Sequence, residues 1–297
     1  MISPPWQNGL GRRIIAETPT SARLDSCMNL PDPRPYLTLA EQAARLGAGI
    51  LMEWRDKFTA REKGPKDLVT EADLASQVAI KELLLQACPG HDFLGEEDAS
   101  LGGRQTERRS DFRWIVDPLD GTANYVHRLQ TFATSIGLEY QDQIIAGCVF
   151  DPVTDECYTA GLGLGSFLNG QPIHVSDCHE ISQALVAVSF RANVMRGSKD
   201  VNRFIETLHA TQSIRRLGSA ALNCCYVAAG RLDAYFATSG IQAWDVAAGV
   251  LIMTEAGATL TGVDGGPLNI DHPELLAASS SQLHGQMLDV LKRADQL

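Results

Sequence analysis

The chain has 297 residues, 44% of them hydrophobic and 21% charged. That length gives a prior of about two domains and is enough to bury roughly three quarters of the unfolded surface, so disorder, collagen and coiled coil are excluded for the chain as a whole. Lys and Arg number 25 against 36 Asp and Glu, a net charge of −11 without a basic block, so no nucleic-acid partner is expected.

Residues 1–35 carry Pro4, Pro5, Pro19, Pro31, Pro33 and Pro35 without periodicity, and read as a disordered arm. Arg12-Arg13 is followed too soon by Glu17 and Pro19 to be an export signal. Next comes a helix, with Thr38 and Glu41 as capping box and Leu39, Ala43, Leu46, Ile50 and Trp54 as its apolar face. After a Gly64-Pro65 loop and an extended Leu68-Val69, Thr70 and Asp73 open a second helix, which runs to about Ala87 before Pro89-Gly90.

From 112 to 160 the pattern is of strands. Residues 113–116 form a buried-type strand expected to end at Pro118, and Phe132, Thr134, Ile136, Leu138 and Tyr140 alternate with period two. Runs at 144–150 and 156–160 follow, then Asn169-Gly170, a type I′ hairpin signal. Beyond residue 182 strands and helices alternate: strand 184–189, helix 200–210, strand 213–217, helix 219–229, strand 231–237, helix 244–257, and a last helix at 281–294. The expected organisation is an arm at 1–35, an α+β half at 36–181 and an α/β half at 182–297, the two halves making one unit. No segment is long and apolar enough to span a membrane, so no membrane partner is expected. The seven cysteines contain no C-x-x-C pair, and a reducing cytoplasm is the expected location.

The chemistry concentrates in acids. Asp117 and Asp120 stand three apart on the turn after the 113–116 strand, with Gly121 and Thr122 next, where a helix start exposes N–H groups to a phosphate. A cap accounts for one of these carboxylates and not both. Gly95-Glu96-Glu97-Asp98, Trp244-Asp245 and Asp73 are bland one by one, as a solvated loop, a helix-start acid and a capping residue. Together they are hard oxygen ligands without Cys or His, which point to Mg²⁺, Mn²⁺ or Ca²⁺. Two carboxylates 4 Å apart repel by about 4 kcal/mol at an effective dielectric near 20, so several sharing a pocket need divalent cations. The glycines at 161–165 resemble a phosphate loop but lack Lys and a following helix, and read as a turn. No G-x-S-x-G, Walker loop or H-E-x-x-H occurs, and the seven His lack metal-ligand spacing.

Gly95-Glu96-Glu97, residues 114–127 (Trp-Ile-Val-Asp-Pro-Leu-Asp-Gly-Thr-Ala-Asn-Tyr-Val-His) and Trp244-Asp245-Val-Ala-Ala-Gly249 with Glu255-Ala-Gly257 resemble the inositol monophosphatase family in order and spacing. Residues 67–73 and 218–221 match as well, so the resemblance spans about 36–296. It implies an α+β fold, a five-layered αβαβα sandwich in which an antiparallel N-terminal sheet with two helices is followed by a smaller α/β sheet layer. It also implies Mg²⁺ dependence with two or three ions (Mn²⁺ as substitute), lithium sensitivity and a homodimer. Glu96, Asp117 and the Leu119 carbonyl would hold one metal, and Asp117, Asp120 and Asp245 a second, with Glu96 helping a third through water. Thr122 and Asp73 would position the attacking water and take its proton. Gly121 and Thr122 would bind phosphate, with Asp120, Gly218, Ser219, Ala220, Thr238 and Asp245 around the substrate.

The sequence departs from that family at Thr238, where inositol phosphatases often carry an acid that binds substrate hydroxyls. A phosphoric monoester hydrolase acting on a small polyol phosphate, inositol monophosphate first, is the leading expectation. The alternatives are the same chemistry on histidinol phosphate, fructose 1,6-bisphosphate or a nucleoside 3′-phosphate, and, in a different class, a non-catalytic regulatory binding protein.

Overall fold

Two prolines set the start of the first helix. The computed structural model describes residues 30–57, 60–64, 67–100 and 108–297, so the arm expected at 1–35 lies mostly outside the described residues, as does Pro65 of the expected Gly64-Pro65 loop. Helix α1 spans Arg34–Trp54, with Pro33 at its N-cap and Pro35 in its first turn. A fixed φ near −65° suits positions whose N–H has no helical partner. Thr38 and Glu41, expected as the cap, instead lie inside the helix. Leu46, expected on the apolar face, is 42% exposed, and the buried stripe is Leu37, Ala40, Ala44, Ala48 and Leu51. Small residues win that face because α1 packs closely on α2 (Glu71–Ala87). Thr70 caps α2 as expected, and Cys88 ends it before Pro89.

Strands β1 (Ala60–Gly64) and β2 (Asp67–Thr70) form an antiparallel ribbon leading into α2. The large sheet runs in chain order: β3 (Asp92–Gly95), β4 (Phe112–Asp120), β5 (Ala133–Tyr140), β6 (Gln143–Asp151), β7 (Glu156–Gly161), β8 (Gly165–Leu168) and β9 (Gln171–Pro172). Only β3–β4 is parallel, which amends the wholly antiparallel expectation. A five-residue helix α3 (Glu96–Ser100) follows β3, and another, α4 (Thr122–Val126), follows β4. Contrary to expectation, β4 continues past Pro118: a register shift between Asp117 and Asp120 absorbs the residue that cannot donate to the ladder. Asn169 and Gly170 both have positive φ, 49° and 77°, as a type I′ turn requires.

The smaller sheet has the order β11-β10-β12-β14-β13, built from β10 (Leu185–Ser189), β11 (Ser213–Arg215), β12 (Ala234–Ala237), β13 (Thr259–Gly262) and β14 (Leu275–Ala278). The parallel strands β10, β11 and β12 are joined through α5 (Lys199–Ala210) and α6 (Ala220–Ala228); α7 (Ala243–Glu255) and α8 (Ser281–Ala294) complete the half. The antiparallel hairpin β13–β14 was not expected, because both strands are short and the 12 residues between them hide the pairing.

Burial resolves five layers. Leu37, Ala44, Ile80, Trp114 and Cys148 join α1 and α2 to the outer face of the large sheet. Ile115, Val149, Tyr158, Leu222, Val246 and Tyr235 fill the space between the sheets around α6 and α7. Val186, Phe236, Leu283 and Met287 seat α8 on the far side of the small sheet. Both faces of β5 and β6 are therefore covered, and nearly every residue of each is buried. Gly137 and Gly147 are paired across these strands, directly beneath α7. A Cβ at Gly147 would lie 2.9 Å from the Ala248 carbonyl, and one at Gly137 3.2 Å from the Ala247 Cβ. These two glycines let α7, and with it Asp245, sit down on the sheet. Among the described residues no helix is long and apolar enough to cross a membrane.

Candidate metal centre

The bulge in β4 builds the site. Asp117 turns inward, and its Oδ1 accepts the Leu119 N–H at 2.9 Å, which bends the chain around Pro118. Gly121 then adopts φ 92°, a left-handed conformation that favours glycine, and a Cβ there would meet the Thr131 carbonyl at 2.9 Å. This turn brings Asp120 beneath the start of α6. The Ala220 and Ala221 N–H groups donate to its carboxylate at 3.2 and 2.8 Å, and the Ser219 hydroxyl donates to it as well. Asp245 enters from the opposite side, in the first turn of α7, its Oδ2 accepting the Gln242 N–H at 2.7 Å.

One carboxylate oxygen from each of Asp117, Asp120 and Asp245 lies within 4.8 Å of the other two. Asp117 is 1% exposed and Asp120 7% exposed. Among the described residues no Lys or Arg pairs with any of the three; backbone N–H groups and the Ser219 hydroxyl donate to them, and Asp117 also meets the carboxyl groups of Glu96 and Asp245. Burial, followed by repulsion from Glu96, Asp120 and Asp245, drives Asp117 well above the ordinary carboxylate range. Burial also pushes Asp120 up to about 6, against the pull of its Ser219, Ala221 and Ala220 donors. Asp245 is raised by burial and then by Asp120 and Glu96. Glu96 starts α3 at the end of β3, close enough to act on all three. The donor set fits a divalent cation: all oxygen, anionic, converging, and costly to keep charged without one.

Beside it stands a second group. Asp73 is fully buried; its Oδ2 accepts the Thr70 N–H at 2.8 Å and the Thr70 hydroxyl at 2.5 Å, which leaves Oδ1 facing the Thr122 hydroxyl at 3.5 Å. That hydroxyl also donates to the Leu119 carbonyl at 3.1 Å. Leu119, Asp120, Gly121 and Thr122 thus lie on one turn between the three acids and Asp73.

Of the residues expected around a substrate, Ser219 and Ala220 are turned onto Asp120, and Gly218 packs against Asn124. Thr238 is 1% exposed and donates its hydroxyl to Asp200 at 2.7 Å. Asn124 was not singled out as a site residue, although it lies within the 114–127 motif. Its amide donates to the Thr131 and Leu217 carbonyls at 2.7 and 2.8 Å, clamping the Gly121 turn to the turn before α6. Asp200 carried no sequence signal, because its partners are 38 and 39 residues away.

The chain is similar to known proteins in sequence and fold. A family model described as the inositol monophosphatase family matches residues 32–296. Inositol monophosphatase 2 of Solanum lycopersicum is 38% identical, over 88% of this chain and 99% of its own. The Nus factor SuhB of Pasteurella multocida is 35% identical, over 82% and 91%. The solved inositol monophosphatase of an Anabaena (Nostoc) species superposes with a TM-score of 0.77 at 34% identity, covering 88% of this chain and 96% of that one. With buried acids on a β4 bulge, a layered sandwich of the same shape and a family match over almost the whole described chain, this protein belongs to the inositol monophosphatase family, phosphatases that hydrolyse phosphomonoesters.

Proposed function

We propose that the chain is a Mg²⁺-dependent phosphomonoesterase of small polyol phosphates, with inositol monophosphate as its first substrate. The observation that carries this reading is the convergence of Asp117, Asp120 and Asp245 within 4.8 Å, without a basic partner among the described residues. Glu96, Asp117 and the Leu119 carbonyl would hold one cation and Asp117, Asp120 and Asp245 another, with Glu96 reaching a third through water. When bound, such cations supply Lewis-acid activation of water and stabilise charge on the leaving oxygen. Mn²⁺ has the same hard-oxygen preference and would substitute.

The chain's own residues do the rest. The Thr122 proton is directed toward the Leu119 carbonyl and Asp73, so its oxygen lone pairs are available to accept the proton of an attacking water. Asp73, fixed by two bonds from Thr70, is placed to take that proton onward. The Gly121 and Thr122 N–H groups are assigned to the phosphate oxygens, and Gly218, Ser219, Ala220 and Thr238 to the substrate side. Asp117 and Asp120 come from the 36–181 half and Asp245 from the 182–297 half, which supports one catalytic unit made by both. The six cysteines among the described residues are free thiols, which supports a reducing compartment, the cytoplasm. The homodimer and lithium inhibition rest on family membership.

The test is phosphate release from inositol 1-phosphate, histidinol phosphate, fructose 1,6-bisphosphate and adenosine 3′,5′-bisphosphate, with Mg²⁺, with EDTA and with lithium. Inositol 1-phosphate should lead, and EDTA and lithium should each suppress it; sedimentation of the purified chain should give a dimer mass. A second reading has a specific source in the relatives named Nus factor SuhB. No release from any ester, with Mg²⁺ still bound, would favour that regulatory reading.

A further inference from the structure

The carboxyl edge of the parallel strands β10 and β12 is where open α/β sheets place their ligands, and it leads directly to the acid cluster. The Ala220 and Ala221 amides hold Asp120, and one turn further along α6 the Asn223 amide donates to the Ser189 hydroxyl at the end of β10. The Ser189 carbonyl accepts the Thr238 N–H at 3.0 Å, and the Arg191 N–H donates to the Ser239 carbonyl at 2.8 Å. Residues 238–242 then run into α7, where Gln242 holds Asp245. Thr238 and Ser239 are therefore tied to the acid cluster at both ends. They also line a cavity of about 560 Å³, the size of a small-ligand site, together with Arg191, Lys199 and Arg203, and Asp200 stands behind them.

At this edge lies a carboxylate that no cation among the described residues neutralises. Asp200, in the first turn of α5, accepts the Thr238 hydroxyl on one oxygen at 2.7 Å and the Ser239 hydroxyl on the other. No Lys or Arg pairs with it among the described residues; its neighbour Lys199 lies 3.8 Å from Asp295 instead. Each hydroxyl has spent its single proton on Asp200 and can only accept from a ligand, and the carboxylate keeps about two unused acceptor sites. Asp200, Thr238 and Ser239 form an acceptor-only cluster, which suits a group rich in O–H donors and repels an anionic one.

We propose that Asp200 is a specificity-determining positioning residue on the leaving-group side: by taking the Thr238 and Ser239 protons, it holds both hydroxyl oxygens as acceptors for the hydroxyls of a polyol monophosphate. A charge that the 238 position lacks is thereby supplied from α5, one hydrogen bond away. This rests on the phosphomonoesterase reading. Mg²⁺-dependent release of phosphate from p-nitrophenyl phosphate, whose leaving group has no hydroxyl donors, tests that reading separately.

The experiment is the ratio of kcat/KM for inositol 1-phosphate to that for p-nitrophenyl phosphate. Asp200→Asn keeps the size and an acceptor for Thr238 but removes the charge, and should lower the ratio about tenfold, chiefly through KM for the polyol. Adding Thr238→Glu to Asp200→Asn returns a carboxylate to the same edge and should recover most of the ratio. Equal losses on both substrates in Asp200→Asn would mean that Asp200 only braces the segment leading to Asp245, and would overturn the proposal. So would an unchanged ratio, or a wild-type preference for fructose 1,6-bisphosphate that depends on Arg191 and Lys199.

Discussion

The two ends of strand β4 treat buried carboxylates in opposite ways. At its start, Arg113 reaches Glu139 of the neighbouring β5 at 2.7 Å; Glu139 is 3% exposed and also receives Arg108, and the far side of Arg113 reaches Asp271 at 3.1 Å. At its end, Asp117 and Asp120 are as deeply buried, face Asp245, and receive no cation from the chain among the described residues. The same strand therefore has an internally balanced charge group at one end and, at the other, one whose balance must come from outside. A buried carboxylate alone does not mark a site; a buried carboxylate that the fold declines to neutralise does.

Breaking the unbalanced end should cost chemistry. Asp117→Asn should lower kcat/KM at least a thousandfold, about 4 kcal/mol of transition-state stabilisation. The metal-free variant should melt no lower than the wild type, because one of three repelling charges is gone. Activity within tenfold of wild type would sink the assignment of Asp117. Breaking the balanced end should cost stability instead. Arg113→Met leaves Glu139 with Arg108 alone and should destabilise by about 2 kcal/mol in urea denaturation, with kcat changed less than twofold. A large fall in kcat would show that the two ends are coupled.

Cation titration sharpens the same contrast. Mg²⁺ at a hundred times its Kd should stabilise the folded chain by roughly 2.7 kcal/mol, and Asp117→Asn should abolish most of that gain while Arg113→Met keeps it. A melting temperature that ignores Mg²⁺ would mean that the acids do not bind it. The smallest effect is expected at a second balanced pair, Arg203 and Asp295, which meet through two bonds of 2.7 Å. Arg203 holds Asp295 below its usual range. Its contribution is therefore present above the unfolded pKa and is lost as pH falls through the lower folded value. Asp295→Asn should cost about 1 kcal/mol at neutral pH and flatten the acid limb of the stability profile.

Much of this was legible in the sequence because the decisive signals are local. Pro118 between two acids, Thr70 three before Asp73, and Trp244-Asp245 at the head of an apolar run each encode a turn or cap within a few residues. The helices of the second half came through for the same reason. What the sequence hid is long-range. The β13–β14 hairpin is visible only as a pairing, the buried face of α1 is set by its contact with α2, and the Asp200 latch joins residues nearly forty apart. The glycines at 161–165 form the turn that their sequence predicts, but the partner of their N–H groups is distant. Their anion is the chain's own Glu255, which accepts the Gly163 and Gly165 N–H groups at 2.8 Å each.

The seat of α7 on Gly137 and Gly147 has a consequence for how this protein tolerates change. The helix that delivers Asp245 rests in a trough two hydrogen atoms wide, so the spacing of the acids is gauged by sterics between the sheets, remote from the chemistry. A single methyl group at residue 147 would lift the helix and act at a distance like the partial loss of a ligand. The two halves of the chain are therefore not interchangeable parts: a second half taken from a relative would bring its own acid for the place of Asp245, yet set it correctly only if its helix carried residues as small as Ala247 and Ala248 where it meets those glycines.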